Sequence, residues 1–243
     1  MAILLFTDFG AADLYVGQVE LVLDRYAQGT RVIHLCNEAP AFNVRASAHL
    51  LAALSTRVTR GDVVIAVVDP GVGMERKSVV VRADGKWFVG PDNGLLSVLC
   101  ARSTTRQLWQ ILPPPDGISQ TFHGRDVFAP AAGAIATDDF PNERVQGAEK
   151  LEVMLPSDDL AEIIYVDHYG NAMTGLRAAG LPTEGVLSVN GHRVSYARTY
   201  GETPRGATFW YENSIGLVEV AKHGASAAQA LELRIGTPVV WRA

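Results

Sequence analysis

The chain has 243 residues, of which 48% are hydrophobic and 19% charged, an ordinary globular balance with ample length for a buried core. With 21 basic and 26 acidic side chains the net charge is -5, and no basic block is present, which argues against a nucleic-acid partner. No apolar run approaches the length of a membrane span, so no membrane partner is expected. The start, "MAILLFTDFG", lacks the basic region and long apolar run of a signal peptide.

These features predict a soluble cytoplasmic protein. Cys36 and Cys100 are far apart in apolar surroundings. Two buried free thiols are the favoured interpretation, and a single disulfide remains the alternative.

The first 69 residues alternate between apolar strands and amphipathic helices. Strands are predicted over 2–9, 31–37 and 62–69, with helices over 14–27 and 43–58 between them. Such a β-α-β-α-β order implies a parallel sheet with helices on both faces.

The next segments break this alternation. Residues 78–90 predict a hairpin that turns at Asp84-Gly85. A helix over 93–103, a strand over 105–112 and a helix over 125–138 follow, the last with Asp126 as its N-cap.

The composition changes near "LEVMLPSDDLAE", where proline, serine and two aspartates indicate a linker. Short strand-like segments follow, including a hairpin signal at Asn190-Gly191, and they predict a small β-barrel or sandwich. The predicted fold is therefore an α/β N-terminal domain, 1–155, with a mostly parallel sheet flanked by helices, and a smaller all-β domain, 156–243.

Two carboxylates follow the predicted strands. Asp8 ends the first strand and Asp69 ends the third. Ligands of open α/β sheets bind beyond the carboxyl ends of the strands, so the pair predicts a shared crevice if the strands are neighbours. The alternatives are a helix cap or turn for Asp8 and an Asp-Pro turn for Asp69.

The linker "DPGVGMER" adds two glycines, Gly71 and Gly73, that allow close approach to a ligand, and Arg76, which could also be a surface ion-pair residue. It matches neither a dinucleotide fingerprint nor a phosphate-binding P-loop.

His123 directly precedes a helix start, where backbone donors converge on anions, although a lone histidine is usually structural. The six histidines show no metal-ligand spacing, so no metal is expected, and no G-x-S-x-G elbow is present.

Six motifs occur in order along nearly the whole chain: "LLFTDFG", "VVDPGVG", "GPDNGLL", "TFHGRDVFAPAA", "YVDHYGN" and "NSIGLVEVA". Together they resemble the S-adenosylmethionine hydroxide adenosyltransferases, the hydrolase branch of the superfamily that includes the fluorinase and chlorinase. The resemblance implies an α/β domain followed by a β-barrel. It also implies homotrimers whose sites lie between the N-terminal domain of one subunit and the C-terminal domain of the next.

The implied reaction converts S-adenosylmethionine and water to adenosine and methionine, with no cofactor. The catalytic triad implied by the resemblance is Asp69, Arg76 and His123. Halogenases carry a tyrosine at the position of Asp69 and another residue at that of His123, so this sequence resembles the hydrolases. Ile215 stands where a halogenase has arginine.

The resemblance also implies the residues that bind substrate. In the first domain, Asp8 would bind the ribose hydroxyls, Asp13 would face the methionine ammonium and Phe42 would lie beside the ribose. In the second domain, the implied contacts are Asp167 to the methionine ammonium, Tyr169 and Asn171 to adenine, and Ser214 to the methionine carboxylate.

Three alternatives stay open at this stage. A non-catalytic S-adenosylmethionine or adenosine binding protein would not need all three triad residues. A halogenase is disfavoured by Asp69. An unrelated nucleoside hydrolase would attack C1′ and release adenine.

Overall fold

The structure, a computed structural model, describes residues 1–112 and 118–242. The chain divides into two compact units, Met1–Ser157 and Asp158–Ala243, each with its own sheet and its own apolar core. The sequence predicts this division after residue 155. Within the described ranges, none of the helices has the length and hydropathy needed to cross a membrane.

The first unit contains a sheet of seven strands: β1 (Ala2–Thr7), β2 (Arg31–Cys36), β3 (Val63–Val67), β4 (Ser78–Ala83), β5 (Lys86–Pro91), β6 (Arg106–Ile111) and β7 (Val145–Ala148). They lie in the order β2-β1-β3-β5-β4-β6-β7. The four strands β2, β1, β3 and β5 pair in parallel, and the remaining pairings are antiparallel. The sheet is therefore mixed, with the predicted parallel part at one side.

The hairpin between β4 and β5 turns where it was predicted. Asp84 and Gly85 both have positive φ, 48° and 80°, as a type I′ turn requires. This turn sets β4 antiparallel to β5 and so ends the parallel part of the sheet.

Four helices flank this sheet: α1 (Leu14–Tyr26), α2 (Val44–Leu54), α3 (Ser97–Arg102) and α4 (Ala129–Ala136). Three residues of the predicted apolar face of α1, Val16, Val19 and Leu23, are buried in the core. The helix α3 starts four residues later than predicted, because Gly94 has a φ of +102° that interrupts helical backbone.

The prediction that Asp126 caps a helix is wrong. A π-helical turn over Gly124–Phe128 runs directly into α4, so Asp126 lies inside the helical segment. Its side chain accepts hydrogen bonds from Ser119 N at 2.8 Å and Arg125 Nε at 2.6 Å.

Neither Cys36 nor Cys100 forms a disulfide, in agreement with the favoured interpretation. Cys100 is buried, whereas Cys36 is only half-buried because it ends β2, the strand at the edge of the sheet.

The second unit is a barrel-like sheet of seven strands: β8 (Leu160–Val166), β9 (Ala172–Arg177), β10 (Val186–Val189), β11 (His192–Tyr196), β12 (Thr208–Glu212), β13 (Leu217–Lys222) and β14 (Val239–Arg242). They lie in the order β14-β10-β11-β12-β13-β9-β8, and the unit also carries a short helix, α5 (Ala227–Ala230). Ile163 N donates to Thr237 O and Gly236 N donates to Ile163 O, both at 2.8 Å, which nearly closes the sheet. Asn190 and Gly191 form the predicted hairpin turn, with φ of 45° and 78°.

Candidate active site

A cavity of about 340 Å³ lies at the carboxyl ends of β1 and β3 in the first unit. These strands are adjacent and parallel, and Asp8 N donates to Val67 O at 3.2 Å. The two carboxylates expected at strand ends therefore share one crevice. Five of the residues named from the sequence line it: Asp8, Asp13, Phe42, Asp69 and His123.

Arg76 joins Asp69 to His123. Its Nε lies 3.1 and 2.9 Å from Asp69 Oδ1 and Oδ2, and its Nη2 also donates to Oδ2. The same Nη2 lies 2.8 Å from His123 Nδ1. Only 10% of the Arg76 side chain and 5% of the Asp69 side chain are exposed, so this pair is shielded from water. Such a two-point guanidinium–carboxylate contact fixes the orientation of both groups.

Gly73 explains the composition of the linker that carries Asp69 and Arg76. Its φ is +80°, and a Cβ at this position would lie 2.6 Å from Gln120 O. Gln120 belongs to the loop that leads to His123. Glycine therefore allows the two loops to approach closely enough for Arg76 to reach His123.

The contact with Arg76 also determines the protonation of His123. A guanidinium has only donors, so His123 Nδ1 accepts and the proton of the neutral ring lies on Nε2. Burial, aided by the charge of Arg76, lowers the pKa of His123 below its ordinary value. At neutral pH the imidazole of His123 is therefore uncharged, and its Nε2–H is a hydrogen-bond donor.

The remaining lining residues differ in how they are held. Burial raises the pKa of Asp8, whose Oδ2 accepts a long 3.3 Å bond from Phe42 N. Phe42 is 80% exposed and has a φ of +60°, rare for a residue with a side chain. Asp13 is the N-cap of α1, its Oδ1 accepting from Leu14 N at 2.6 Å.

Sequence reasoning missed the aromatic wall of this cavity. Phe9, Tyr15 and Phe122 contact one another with ring centroids 5.4 to 5.7 Å apart. Phe9 directly follows Asp8, and Phe122 directly precedes His123. Their positions next to predicted site residues could have indicated that they line the same cavity.

A second cavity, of about 850 Å³, lies in the barrel unit and is lined by all four residues named there, Asp167, Tyr169, Asn171 and Ser214. Asp167 Oδ1 accepts from Tyr169 N at 2.9 Å and Asn171 N at 2.8 Å, and its Oδ2 accepts from Asn171 Nδ2 at 2.9 Å. Asn171 Oδ1 in turn accepts from the Tyr200 hydroxyl at 3.0 Å. The Tyr169 ring is 76% exposed and so is accessible to a ligand.

The barrel cavity also contains a buried carboxylate that sequence reasoning missed. Glu219 is 2% exposed and accepts from the Tyr211 hydroxyl and from Asn213 Nδ2, the latter at 2.7 Å. Burial raises its pKa above the ordinary value. The signal was a glutamate inside the otherwise apolar strand "LVEVA".

The structure thus brings the ten predicted residues together as two sets, six in the first unit and four in the barrel. Among residues 1–112 and 118–242, no three His, Cys, Asp or Glu side chains form a group that could hold a metal ion. Fold and site define a two-unit protein in which a charged Asp-Arg-His site lies on an α/β unit and a tyrosine-rich cavity with hydrogen-bonded Asp, Asn and Glu side chains lies in a β-barrel unit.

The chain belongs to the SAM hydroxide adenosyltransferase family, whose N-terminal domain model matches residues 3–145 and whose C-terminal domain model matches residues 161–240. A curated relative from Thermus thermophilus, named (R)-S-adenosyl-L-methionine hydrolase, is 39% identical over 96% of both chains. A relative of the same name from Salinispora arenicola is 37% identical over 95% of this chain and 93% of its own length. The crystal structure of a conserved protein from Thermotoga maritima has a TM-score of 0.88 and 28% identity, and the match covers 99% of this chain and 100% of that one.

Proposed function

We propose that this chain hydrolyses S-adenosyl-L-methionine to adenosine and L-methionine. The observation that carries the proposal is the hydrogen-bonded Asp69–Arg76–His123 group on the wall of a cavity in a protein of this family. Water attacks ribose C5′ in line with the sulfonium. A C5′–O bond forms, the C5′–S bond breaks, and the electron pair goes to sulfur, which leaves as the neutral thioether of methionine. One proton of the water is released.

The sulfonium departs without a general acid, so the enzyme has two tasks. The first is to place water in line with the C5′–S bond, and positioning of this kind contributes roughly 7–11 kcal/mol. The second is to make that water more nucleophilic. Asp69 accepts a hydrogen bond from the water, while Arg76 and the Nε2–H of His123 stabilise developing hydroxide character. Because carboxylates are weak bases towards water, proton transfer accompanies attack.

Other lining residues hold the substrate, and no cofactor takes part. In the first unit, Asp8 binds the ribose 2′- and 3′-hydroxyls, Asp13 faces the methionine ammonium and Phe42 lies beside the ribose. In the barrel, Tyr169 and Asn171 bind adenine, while Asp167 and Ser214 bind the ammonium and carboxylate of methionine. The first three residues line the cavity of the first unit and the other four line the cavity of the barrel, which supports this division.

We further propose that the working form is a homotrimer in which the first unit of one copy and the barrel of the next complete each site. Light scattering should then give a mass near three times 26.1 kDa. Mixing two inactive variants, His123→Ala and Asn171→Ala, through reversible dissociation should restore part of the activity, because some interfaces pair two intact halves. No recovery despite proven subunit exchange, or a fully active monomer, would refute this arrangement.

Product analysis tests the reaction itself. Purified protein is incubated with S-adenosylmethionine, with and without chloride, and the products are separated by chromatography. The proposal predicts adenosine and methionine in both conditions. 5′-Chloro-5′-deoxyadenosine would identify a halogenase, free adenine would identify attack at C1′, and unchanged substrate would leave only a binding protein. Asp69→Asn, prepared in parallel, controls for contaminating hydrolases.

The assay should use each sulfonium epimer separately, because the names of the relatives carry the descriptor (R) in addition to L. Both epimers give the same products, so only the rates differ. A reducing cytoplasm is the proposed compartment, which fits the finding that neither Cys36 nor Cys100 forms a disulfide.

A further inference from the structure

We infer that Asp167 determines which purine the barrel cavity accepts, by holding the side-chain amide of Asn171 in one of its two orientations. This inference rests on the proposed function, because it takes the adenine of the substrate as the group that meets Asn171. The role is additional to any contact between Asp167 and methionine. It makes Asp167 a positioning residue that acts on the base through its neighbour.

The two hydrogen bonds of the Asn171 amide are not equally decisive. A tyrosine hydroxyl both donates and accepts, so Tyr200 could satisfy either end of the amide. A carboxylate only accepts, so the atom of Asn171 that faces Asp167 Oδ2, 2.9 Å away, must be Nδ2. Asp167 is itself held by the backbone N–H groups of Tyr169 and Asn171, at 2.9 and 2.8 Å. The orientation of the amide is therefore built into the turn.

This orientation leaves a defined pair of groups for a ligand. An asparagine amide has two N–H donors and two lone pairs on oxygen. Asp167 takes one donor and Tyr200 takes one lone pair, at 3.0 Å. One donor and one acceptor remain, on a side chain that is 7% exposed and lines the cavity.

The remaining pair matches a 6-aminopurine. Adenine offers a ring-nitrogen acceptor beside its N6 amino donor, which a donor–acceptor amide binds at two points. Hypoxanthine has an oxygen acceptor at position 6, which would face Asn171 Oδ1, another acceptor. Its N1–H and O6 edge could be bound only by the reversed amide, and that would point Oδ1 at the carboxylate of Asp167. The cavity should thus select 6-amino over 6-oxo purines.

Calorimetry with adenosine and inosine tests this on the full-length protein, since the two nucleosides share the ribose and differ only at the base. The wild type should bind adenosine at least about tenfold more tightly than inosine, because a mismatched buried polar group costs roughly that much. Asp167→Asn keeps an oxygen for the two backbone N–H groups but presents an amide donor to Asn171. The amide of Asn171 is then free to reverse, and the adenosine-to-inosine ratio should fall about tenfold or more.

Two control variants separate this role from loss of charge or of fold. Asp8→Asn makes the same chemical change at the residue proposed to bind ribose, so both nucleosides should weaken equally and their ratio should stay at the wild-type value. Tyr200→Phe removes a hydroxyl that can bond the Asn171 amide in either of its orientations. The affinity for both nucleosides should therefore fall, with little change in the adenosine-to-inosine ratio. Thermal melting is recorded first, so that a poorly folded variant is recognised.

The outcomes are distinct. A wild-type ratio near one, or an unchanged ratio in a folded Asp167→Asn protein, overturns the inference. Hydrolysis of S-adenosylmethionine, assayed on the same preparations, tests the proposed function separately, so an active enzyme with no discrimination refutes this inference alone. Failure to bind either nucleoside, together with inactivity, refutes both. An adenosine-to-inosine ratio that falls in Asp167→Asn but not in Asp8→Asn supports the inference that Asp167 orients the Asn171 amide.

Discussion

The cavities of the two units hold their carboxylates in different ways. Asp8, in the first unit, is half-buried and accepts a long bond of 3.3 Å from Phe42, a residue on an exposed loop. Asp167, in the barrel, accepts three bonds of 2.8 to 2.9 Å from its own turn, and Glu219 is held by two neighbouring side chains. A carboxylate with few protein partners can bind a ligand directly, whereas a network of several hydrogen bonds fixes the orientation of its members and of the donors and acceptors that they leave for a ligand.

A similar contrast holds for the cations. Arg76 is buried against both Asp69 and His123, so it links two groups that face the same cavity. In the barrel, Arg177 pairs with Asp159 at 2.5 Å, but 55% of its side chain is exposed. Exposed pairs contribute little, while breaking a buried pair leaves a charge without compensation. The first unit thus buries a linked group of charged side chains, and the barrel holds its polar groups in a fixed hydrogen-bonded network.

The largest expected effect is at Arg76. Arg76→Lys keeps the positive charge but loses the planar fork that contacts Asp69 at two points and also reaches His123. We expect turnover to fall by about 10²-fold or more, the scale of a positioned proton-transfer group, with a smaller change in substrate affinity. Steady-state kinetics measures both. Arg177→Lys makes the same change in an exposed pair, so its turnover should stay within about twofold of wild type. An equal loss of turnover in both variants would contradict the expected difference between the buried and the exposed pair.

Asp8→Asn should weaken adenosine binding by about 10- to 100-fold, because hydrogen bonds to a charged group contribute roughly 1.5–3 kcal/mol. Its stability should change in the opposite direction. The pKa of Asp8 is raised in the folded protein, so its contribution to stability is present below about pH 3.8 and is lost as the pH rises through the folded value. At neutral pH the ionised side chain therefore costs stability.

Calorimetry measures the adenosine affinity of Asp8→Asn, and urea denaturation at pH 7 measures its stability. The asparagine variant should unfold at a higher urea concentration than the wild type. Unchanged adenosine affinity would remove Asp8 from the ribose site.

The third prediction concerns pH. Because the pKa of His123 lies below 6.5, activity should be constant near neutrality and fall about tenfold per unit below the folded pKa, where a protonated ring can no longer accept from Arg76. The same shift means that the stability His123 contributes is present above pH 6.5 and is lost as the pH falls towards the folded value.

The pH profile of kcat/KM and the pH dependence of melting, for the wild type and for His123→Asn, measure these effects. The acid loss of activity should keep its position in Asp8→Asn if His123 causes it. If the acid loss of activity moves to a different pH in Asp8→Asn, the group whose protonation causes the loss is Asp8 and not His123.

The smallest effect is expected in the barrel. Tyr211→Phe removes the hydroxyl that donates to the buried Glu219, and a buried acceptor without its donor costs about 1–3 kcal/mol of unfolding free energy. For a chain of this size each kcal/mol corresponds to roughly 2–4 °C in Tm, measured by circular dichroism. Tyr196→Phe is the matched control, because the structure gives its hydroxyl no hydrogen bond within the described residues. Equal melting of the two variants would mean that the Glu219 network is not held by Tyr211.

Much of this architecture could be predicted from local patterns. The strand and helix alternation of the first 69 residues and the two positive-φ turns depend on periodicity and on residues such as Gly85 and Gly191, whose preferences are local. The start of α3 was predicted too early because it depends on the positive φ of Gly94. Asp126 was wrongly predicted to cap a helix because a π-helical turn precedes α4 and includes this residue.

By itself, then, the sequence determined the element order apart from β7 and α5, the two-part fold and the residue types at the strand ends, because these follow from hydrophobic period and turn chemistry. Only the tertiary structure decided which of those side chains meet. The reach of Arg76 to His123 spans 47 positions and depends on Gly73 packing against Gln120, and the burial of Glu219 depends on Tyr211 and Asn213 from neighbouring chain segments. The Nε2–H tautomer of His123 and the orientation of the Asn171 amide follow from the partner that each group faces, and contacts of that kind exist only after the chain has folded.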